Sequence, residues 1–204
     1  MSREPADRHA QILAVAAALF ARKGVAAATV REIADDVGIL SGSLYHHFDS
    51  KEAMVDEILV PYLKELGQAC ESALSSAADP PTRLRDLVVA SLQVAEAHPH
   101  ATEIYQSDAN YLTQFARFGY LTSAASDVRN AWLVVISDGV HQGAFRADVD
   151  PGIVYRLMRD AIWLSVRWFR PTPDYPLTRF ARECTSLFLD GVAVRRDEAA
   201  LTRP

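Results

Sequence analysis

Cysteine is nearly absent from this chain of 204 residues: only Cys70 and Cys184 occur, with no cysteine neighbour and no metal-type spacing. That argues against a disulfide framework and a thiolate metal site, and both thiols read as buried and reduced. Long apolar runs are missing too. "ILAVAAALF" is among the longest, well short of the ~20 residues that span a bilayer, and no signal-peptide pattern opens the chain. The expectation is a cytoplasmic protein with no membrane partner. Internal repeats and low-complexity tracts are lacking, and no stretch alternates apolar and polar residues strongly enough to require a sheet. An enzyme acting on an acyl thioester would need a nucleophile beside a base, and neither cysteine has one; no G-x-S-x-G appears. The chain therefore reads as a non-enzyme without a metal or a cofactor.

What is present is a large apolar fraction, 50%, with 23% charged residues, enough for a real core. The net charge of -5 and pI near 5.7 run against the basic footprint of a nucleic-acid binder. Local balance decides more than the total. In residues 1–51 the bases Arg3, Arg8, Arg22, Lys23, Arg31 and Lys51 match the acids Glu4, Asp7, Glu32, Asp35, Asp36 and Asp49 in number.

Ile12, Ala16, Leu19 and Phe20 recur at helical spacing and Gly24 follows as a stop, which predicts a first helix over about 7–23. Thr29 and Glu32 form a capping box, so a second helix starts there and runs to Gly38, a residue suited to a sharp reversal. Ser41 or Ser43 is placed to cap a third helix ending at Phe48. Breaks are expected at 79–81, around Pro99, at 143–152 and at 171–176, with helix elsewhere.

Two short helices around a glycine turn, preceded by an amphipathic helix, make a helix-turn-helix unit. Ile33, Ala34, Val37, Leu44 and Phe48 are expected to face inward. Ser41, Gly42, Ser43, Tyr45, His46 and His47 then form an outward surface of small donors and flat rings, suited to a major groove. The pattern alone leaves a second reading open, a helical module that binds protein and carries solvated histidines.

The stretch "TVREIADDVGILSGSLYHHFDSKEAMVDEIL" resembles the DNA-binding region of the TetR family of bacterial one-component repressors. That resemblance implies an all-α fold: a tri-helical helix-turn-helix domain over 1–52 and a helical ligand-binding and dimerisation domain over 53–196; the last residues, 197–204, are expected to form a disordered tail. It further implies a homodimer on palindromic double-stranded operator DNA, released by a small-molecule effector. Carried over by motif, Thr29 bonds a phosphate, Arg31 reaches phosphate or a base edge, Ser41, Gly42, Ser43, Tyr45 and His46 lie along the groove, and His47 and Lys51 grip the backbone.

"DVDPGIVYRLMRDAIWLSVRWFRP" opens with an Asp cap and a first-turn proline and is expected to continue as one helix to Pro171. Projected at helical pitch, Arg156, Arg159, Trp163, Arg167 and Arg170 fall within about 80° of one another. Two explanations are open: a solvated or inter-subunit ion-paired face, or a polyanion site with an aromatic plane, which a CoA thioester would fill. This helix and "IYQSDAN" are similar to a branch of actinobacterial TetR regulators that repress steroid (cholesterol) catabolism and respond to a CoA thioester. The resemblance places Arg159 and Trp163 at the ligand. A regulator of another catabolic or efflux operon would look much the same.

Leu92, Ile104, Tyr105, Leu112, Phe115, Phe118, Tyr120 and Trp132 are candidates for an apolar pocket wall or ordinary core, and Tyr105, Gln106, Asp108, Asn110 and Gln114 for a polar end. His98, His100 and Glu103 form a loose cluster without tetrahedral ligand spacing. On the last helix Leu177, Phe180, Ala181, Cys184, Leu187, Phe188 and Gly191 form a wide apolar seam, read as the dimer interface.

Overall fold

Alternating helix formers and breakers divide the chain into helices, and the computed structural model, which describes residues 5–193 and side chains from Arg8, shows nine α-helices among them. They are α1 Pro5–Lys23, α2 Val30–Val37, α3 Ser41–Leu44, α4 Lys51–Ser75, α5 Pro80–Ala97, α6 Pro99–Leu112, α7 Tyr120–His141, α8 Pro151–Trp163 and α9 Leu177–Val192. Short 3-10 turns occupy Ala116–Phe118 and Leu164–Arg167. The only β pairing among the described residues is an isolated bridge, Phe145 to Ala193, where the Arg146 N–H donates to the Val192 carbonyl at 2.7 Å. No described helix is long and apolar enough to cross a membrane. The fold is all-α, as expected. The tail expected at 197–204, and residues 194–196 of the second expected domain, lie outside the described residues.

The breaks fall where proline and glycine predict. Asp79 Oδ1 accepts the Thr82 N–H at 2.8 Å at the head of α5, Pro99 opens α6, and Asp150 Oδ1 accepts the Ile153 N–H at 3.0 Å ahead of Pro151. Each cap satisfies a donor that the helix cannot. Pro61 inside α4 is exposed.

By packing, the described residues divide into two compact units: residues 5–65 with 97–124, and residues 66–96 with 125–193. In the first, α1 packs on α2 and α6, and α2 on α3, around Ile12, Phe20, Ile33, Met54, Leu59 and Ile104. In the second, Leu84, Leu87, Leu92, Trp132, Ile136 and Met158 form the core. Arg83 is buried there because its guanidinium is satisfied twice, by the Ala73 carbonyl at 3.0 Å and Asp138 at 2.8 Å. Cys70 is also buried, and desolvation pushes its thiol up to about 11. It is a core thiol rather than a nucleophile.

Two helices stop earlier than expected. The third ends at Leu44, because the next N–H groups tighten: His46 donates to the Ser43 carbonyl at 3.3 Å and His47 to the Leu44 carbonyl at 2.9 Å. Its N-cap is Leu40 with no side-chain bond, so neither Ser41 nor Ser43 caps it. The helix expected to run on to Pro171 ends at Trp163 and passes into the 3-10 turn, where the Ser165 hydroxyl donates to the Ile162 carbonyl at 2.5 Å.

Candidate nucleic-acid interface

The placement of α2 and α3 starts at a loop held from several sides. Gly24 has a φ of 84°, a left-handed turn that ends α1. The Val25 N–H donates to Asp108 of α6 at 3.3 Å, while Lys51 of α4 donates to the Val25 and Ala28 carbonyls at 2.7 and 3.1 Å. Thr29 then starts α2 with a complete capping box. The Glu32 N–H donates to Thr29 Oγ1 at 3.2 Å, and Glu32 Oε2 accepts the Thr29 N–H at 3.0 Å. Glu32 Oε1 also accepts from Lys23. These bonds hold the Glu32 carboxyl at about 2, against an ordinary 4.5, with Lys23 the largest contributor and Thr29 next. Gly38, at φ 75°, reverses the chain between α2 and α3.

Ile33, Ala34, Val37, Leu44 and Phe48 are all buried, as the pattern predicts. Burial of Leu44 and Phe48 stabilises the docked helix by about 1.5–3 kcal/mol each, enough to fix so short a helix against its neighbour. His9 reinforces this contact: its ring stacks on Phe48 at 4.2 Å and its Nε2 lies 2.7 Å from Glu57. The opposite side is open. Gly42, Tyr45 and His46 are exposed, and Ser41, Ser43 and His47 are half-buried at its margins. Leu40 and Tyr45 stand 80% and 56% exposed. An exposed leucine at the head of such a helix is a contact candidate that the sequence pattern missed; only its position directly after the glycine turn signals it.

Arg31 projects into solvent, its nearest carboxylate being Asp35 at 3.8 Å. Two expected phosphate ligands are differently engaged. The Thr29 hydroxyl already donates to Glu32 at 2.9 Å, and Lys51 turns its ammonium inward, leaving one N–H of three. Both position the loop that presents α2.

The six ligand candidates do not gather in one unit. Arg156, Arg159, Trp163 and Arg167 belong to the second; Tyr105 and Phe115 belong to the first, where Tyr105 lies 5.8 Å from the Tyr62 ring and Phe115 lies 5.2 Å from Tyr111. Trp163 departs from the arginine band: it is 2% exposed, with its ring 6.1 Å from that of Trp132. Arg156 and Arg159 leave the same helix margin outward, because a guanidinium requires water where an indole prefers a neighbouring ring. Arg159 Nη2 pairs with Asp160 at 2.7 Å, and Arg170 Nη1 donates to the Val166 and Phe169 carbonyls at 2.6 and 2.7 Å. Of the pocket-wall candidates, Leu92, Ile104, Leu112, Phe118 and Trp132 are core, and the Tyr120 hydroxyl donates to Asp56 at 2.8 Å. His98 pairs with Glu65 at 3.0 Å, and no described group of three His, Cys, Asp or Glu residues is arranged to hold a metal.

The seam on α9 divides. Leu177, Phe180 and Ala181 are buried within the chain, with Phe180 stacked on Phe169 at 4.2 Å, whereas Cys184, Phe188, Gly191 and the 74% exposed Leu187 face outward or lie at the margin. A seam this wide serves the chain's own core on one edge.

Residues 12–58 match the family described as "Bacterial regulatory proteins, tetR family", and residues 77–192 match "Tetracyclin repressor-like, C-terminal domain". The chain is 42% identical over 200 residues to the HTH-type transcriptional repressor KstR2 of Rhodococcus jostii (strain RHA1), covering 95% of this chain and 98% of that protein. The solved structure of the ketosteroid transcriptional regulator KstR2 of Mycobacterium tuberculosis superposes with a TM-score of 0.85 at 41% identity, covering 92% of this chain and 96% of that one. The TetR family regulator PfmR of Thermus thermophilus superposes at 0.73 with 30% identity, over 91% of this chain and 100% of that one. With its helix-turn-helix in place and its relatives named as repressors rather than enzymes, the chain belongs to the TetR family of bacterial regulatory proteins and is a DNA-binding transcriptional regulator.

Proposed function

We propose that this regulator is a cytoplasmic repressor that binds a palindromic operator as a homodimer and leaves it when a CoA thioester of steroid catabolism binds. Residues 1–52 act as the reading head and 53–196 as the ligand and dimerisation domain. The carrying observation is the presentation of Gly42, Tyr45 and His46 on a short helix fixed from behind by Leu44 and Phe48. At the groove, Ser41, Ser43, Tyr45 and His46 meet base edges, and Arg31, His47 and the remaining Lys51 N–H meet phosphates, with the Thr29 hydroxyl joining by rotation away from Glu32. Dimerisation uses Cys184, Leu187, Phe188 and Gly191, the outward part of the α9 seam. The steroid assignment rests on the likeness to the KstR2 repressors, one of which is named a ketosteroid regulator. Arg156, Arg159 and Arg167 supply guanidiniums for the CoA phosphates.

Ligand in the second domain favours a spacing of the two heads that no longer fits successive grooves. A coupling of about 3 kcal/mol weakens DNA binding more than a hundredfold. The test is an operator-shift titration with steroid-derived CoA thioesters, on the native chain and on Arg159→Ala. The native complex is expected to release DNA, while the variant keeps operator affinity and loses the response. Operator binding indifferent to every thioester contradicts the proposal.

A further inference from the structure

Leu40 is the most exposed large hydrophobic residue among the described residues, at 80%. Single exposed leucines are common on protein surfaces, and most need no explanation. This one stands at the N-cap of α3, where its side chain makes no capping bond. Serine, threonine, aspartate and asparagine are preferred there because a side-chain oxygen accepts an N–H that the helix leaves free, and leucine is among the least suited. Neither the helix nor the core therefore accounts for it. Its backbone is nonetheless held from both sides: the Gly38 and Ile39 N–H groups donate to the Asp35 and Ala34 carbonyls at 3.1 and 2.9 Å, and the Leu40 carbonyl accepts the Ser43 N–H at 2.9 Å. Two residues on, a Cβ at Gly42 would find no contact beyond its own turn within 4 Å, so the space beside this leucine is open.

The N-terminal residues of the reading helix in a helix-turn-helix are the ones that reach base edges. An aliphatic side chain there has no donor or acceptor, so it takes no part in the hydrogen-bond code of the major groove and holds no phosphate. One feature of the groove matches it: the C5-methyl of thymine, the apolar group among the base edges. Packing the two together takes both apolar surfaces out of water. We propose that Leu40 is a specificity-determining residue of operator recognition, packing its side chain on a thymine methyl in each half-site. This rests on the groove assignment above and extends it: Ser41, Ser43, Tyr45 and His46 read polar edges, and Leu40 reads a methyl. Tyr45, 56% exposed, is the other large hydrophobic residue that this surface presents, so the test must separate the two.

The experiment uses the full chain and a DNA duplex that it selects from a randomised library. Each thymine of that duplex is replaced in turn, in both half-sites, by deoxyuridine, which keeps every hydrogen-bonding group and removes only the methyl. At one position the native chain is expected to lose about fourfold in affinity per half-site, or about fifteenfold for the symmetric pair, the worth of one buried methyl in each. In Leu40→Ala, a change at an exposed side chain outside the core, the penalty at that position is expected to vanish. Native affinity indifferent to deoxyuridine at every thymine overturns the proposal without any variant and leaves the operator reading standing, as does a selected duplex without thymine in its half-sites. A penalty undiminished in Leu40→Ala overturns it too, and assigns the methyl to Tyr45 or another neighbour. If no duplex is selected, the operator reading fails and this inference falls with it.

Discussion

Glu32 shows how one side chain ties two helices together. Its carboxylate takes bonds from Lys23 at the end of α1 and from Thr29 at the start of α2, and the depressed protonation follows from both. A group depressed on folding contributes fully above its ordinary value, and the contribution is lost as pH falls toward the folded value. The window is therefore 4.5 down to about 2. Comparing melting temperatures of the native chain and Glu32→Gln across that window is expected to show a native advantage that shrinks with acid; a constant difference would contradict the cap's role. The capping box was legible because Thr29 and Glu32 stand three apart and each needs only local backbone. The inward turn of Lys51 was not legible, since it depends on carbonyls more than twenty residues away in sequence. The burial of Trp163 was not legible for a related reason. A helical projection gives the direction of a Cβ, and the indole then folds toward whichever ring is near.

Among the elements, starts were easier to read than stops. Asp150 with Pro151 marks the head of α8 by side-chain chemistry alone. The ends of α3 and α8 are set by backbone bonds one residue tighter than an α-helix makes, and apolar periodicity carries no trace of that change. The close of α7 is another feature set in three dimensions. Phe145 folds back under Gly139, whose carbonyl accepts the Ala144 and Phe145 N–H groups at 2.9 Å, and a Cβ at Gly139 would lie 2.1 Å from the Phe145 ring. Alanine would gain about 1 kcal/mol of helix propensity, but overpacking a buried ring costs about 1–3 kcal/mol and this overlap is severe. Gly139→Ala is thus expected to lower the unfolding free energy in urea; a neutral or stabilising result would show that Phe145 moves aside freely.

For the molecule as a whole, the sequence predicted an all-helical chain with a helix-turn-helix at its N-terminal end, and the structure and the family match agree on both. Residues that share a helix face announce themselves locally, so Ile33, Leu44 and Phe48 were placed correctly. The two compact units were not foreseen, because residues 97–124 join the first through packing that no local pattern records. The same limit applies to the α9 seam, whose apolar width said nothing of how much the chain itself would cover.

Sequence-independent phosphate contacts underlie the whole account of operator binding, and they have one direct measure. Titrating an operator fragment with the full chain at several salt concentrations is expected to give a log-log slope of about -5, from roughly six phosphates neutralised per dimer. A slope near zero would mean that Arg31, His47 and their partners do not meet the DNA backbone, and would contradict the assignment of residues 41–48 as the reading surface.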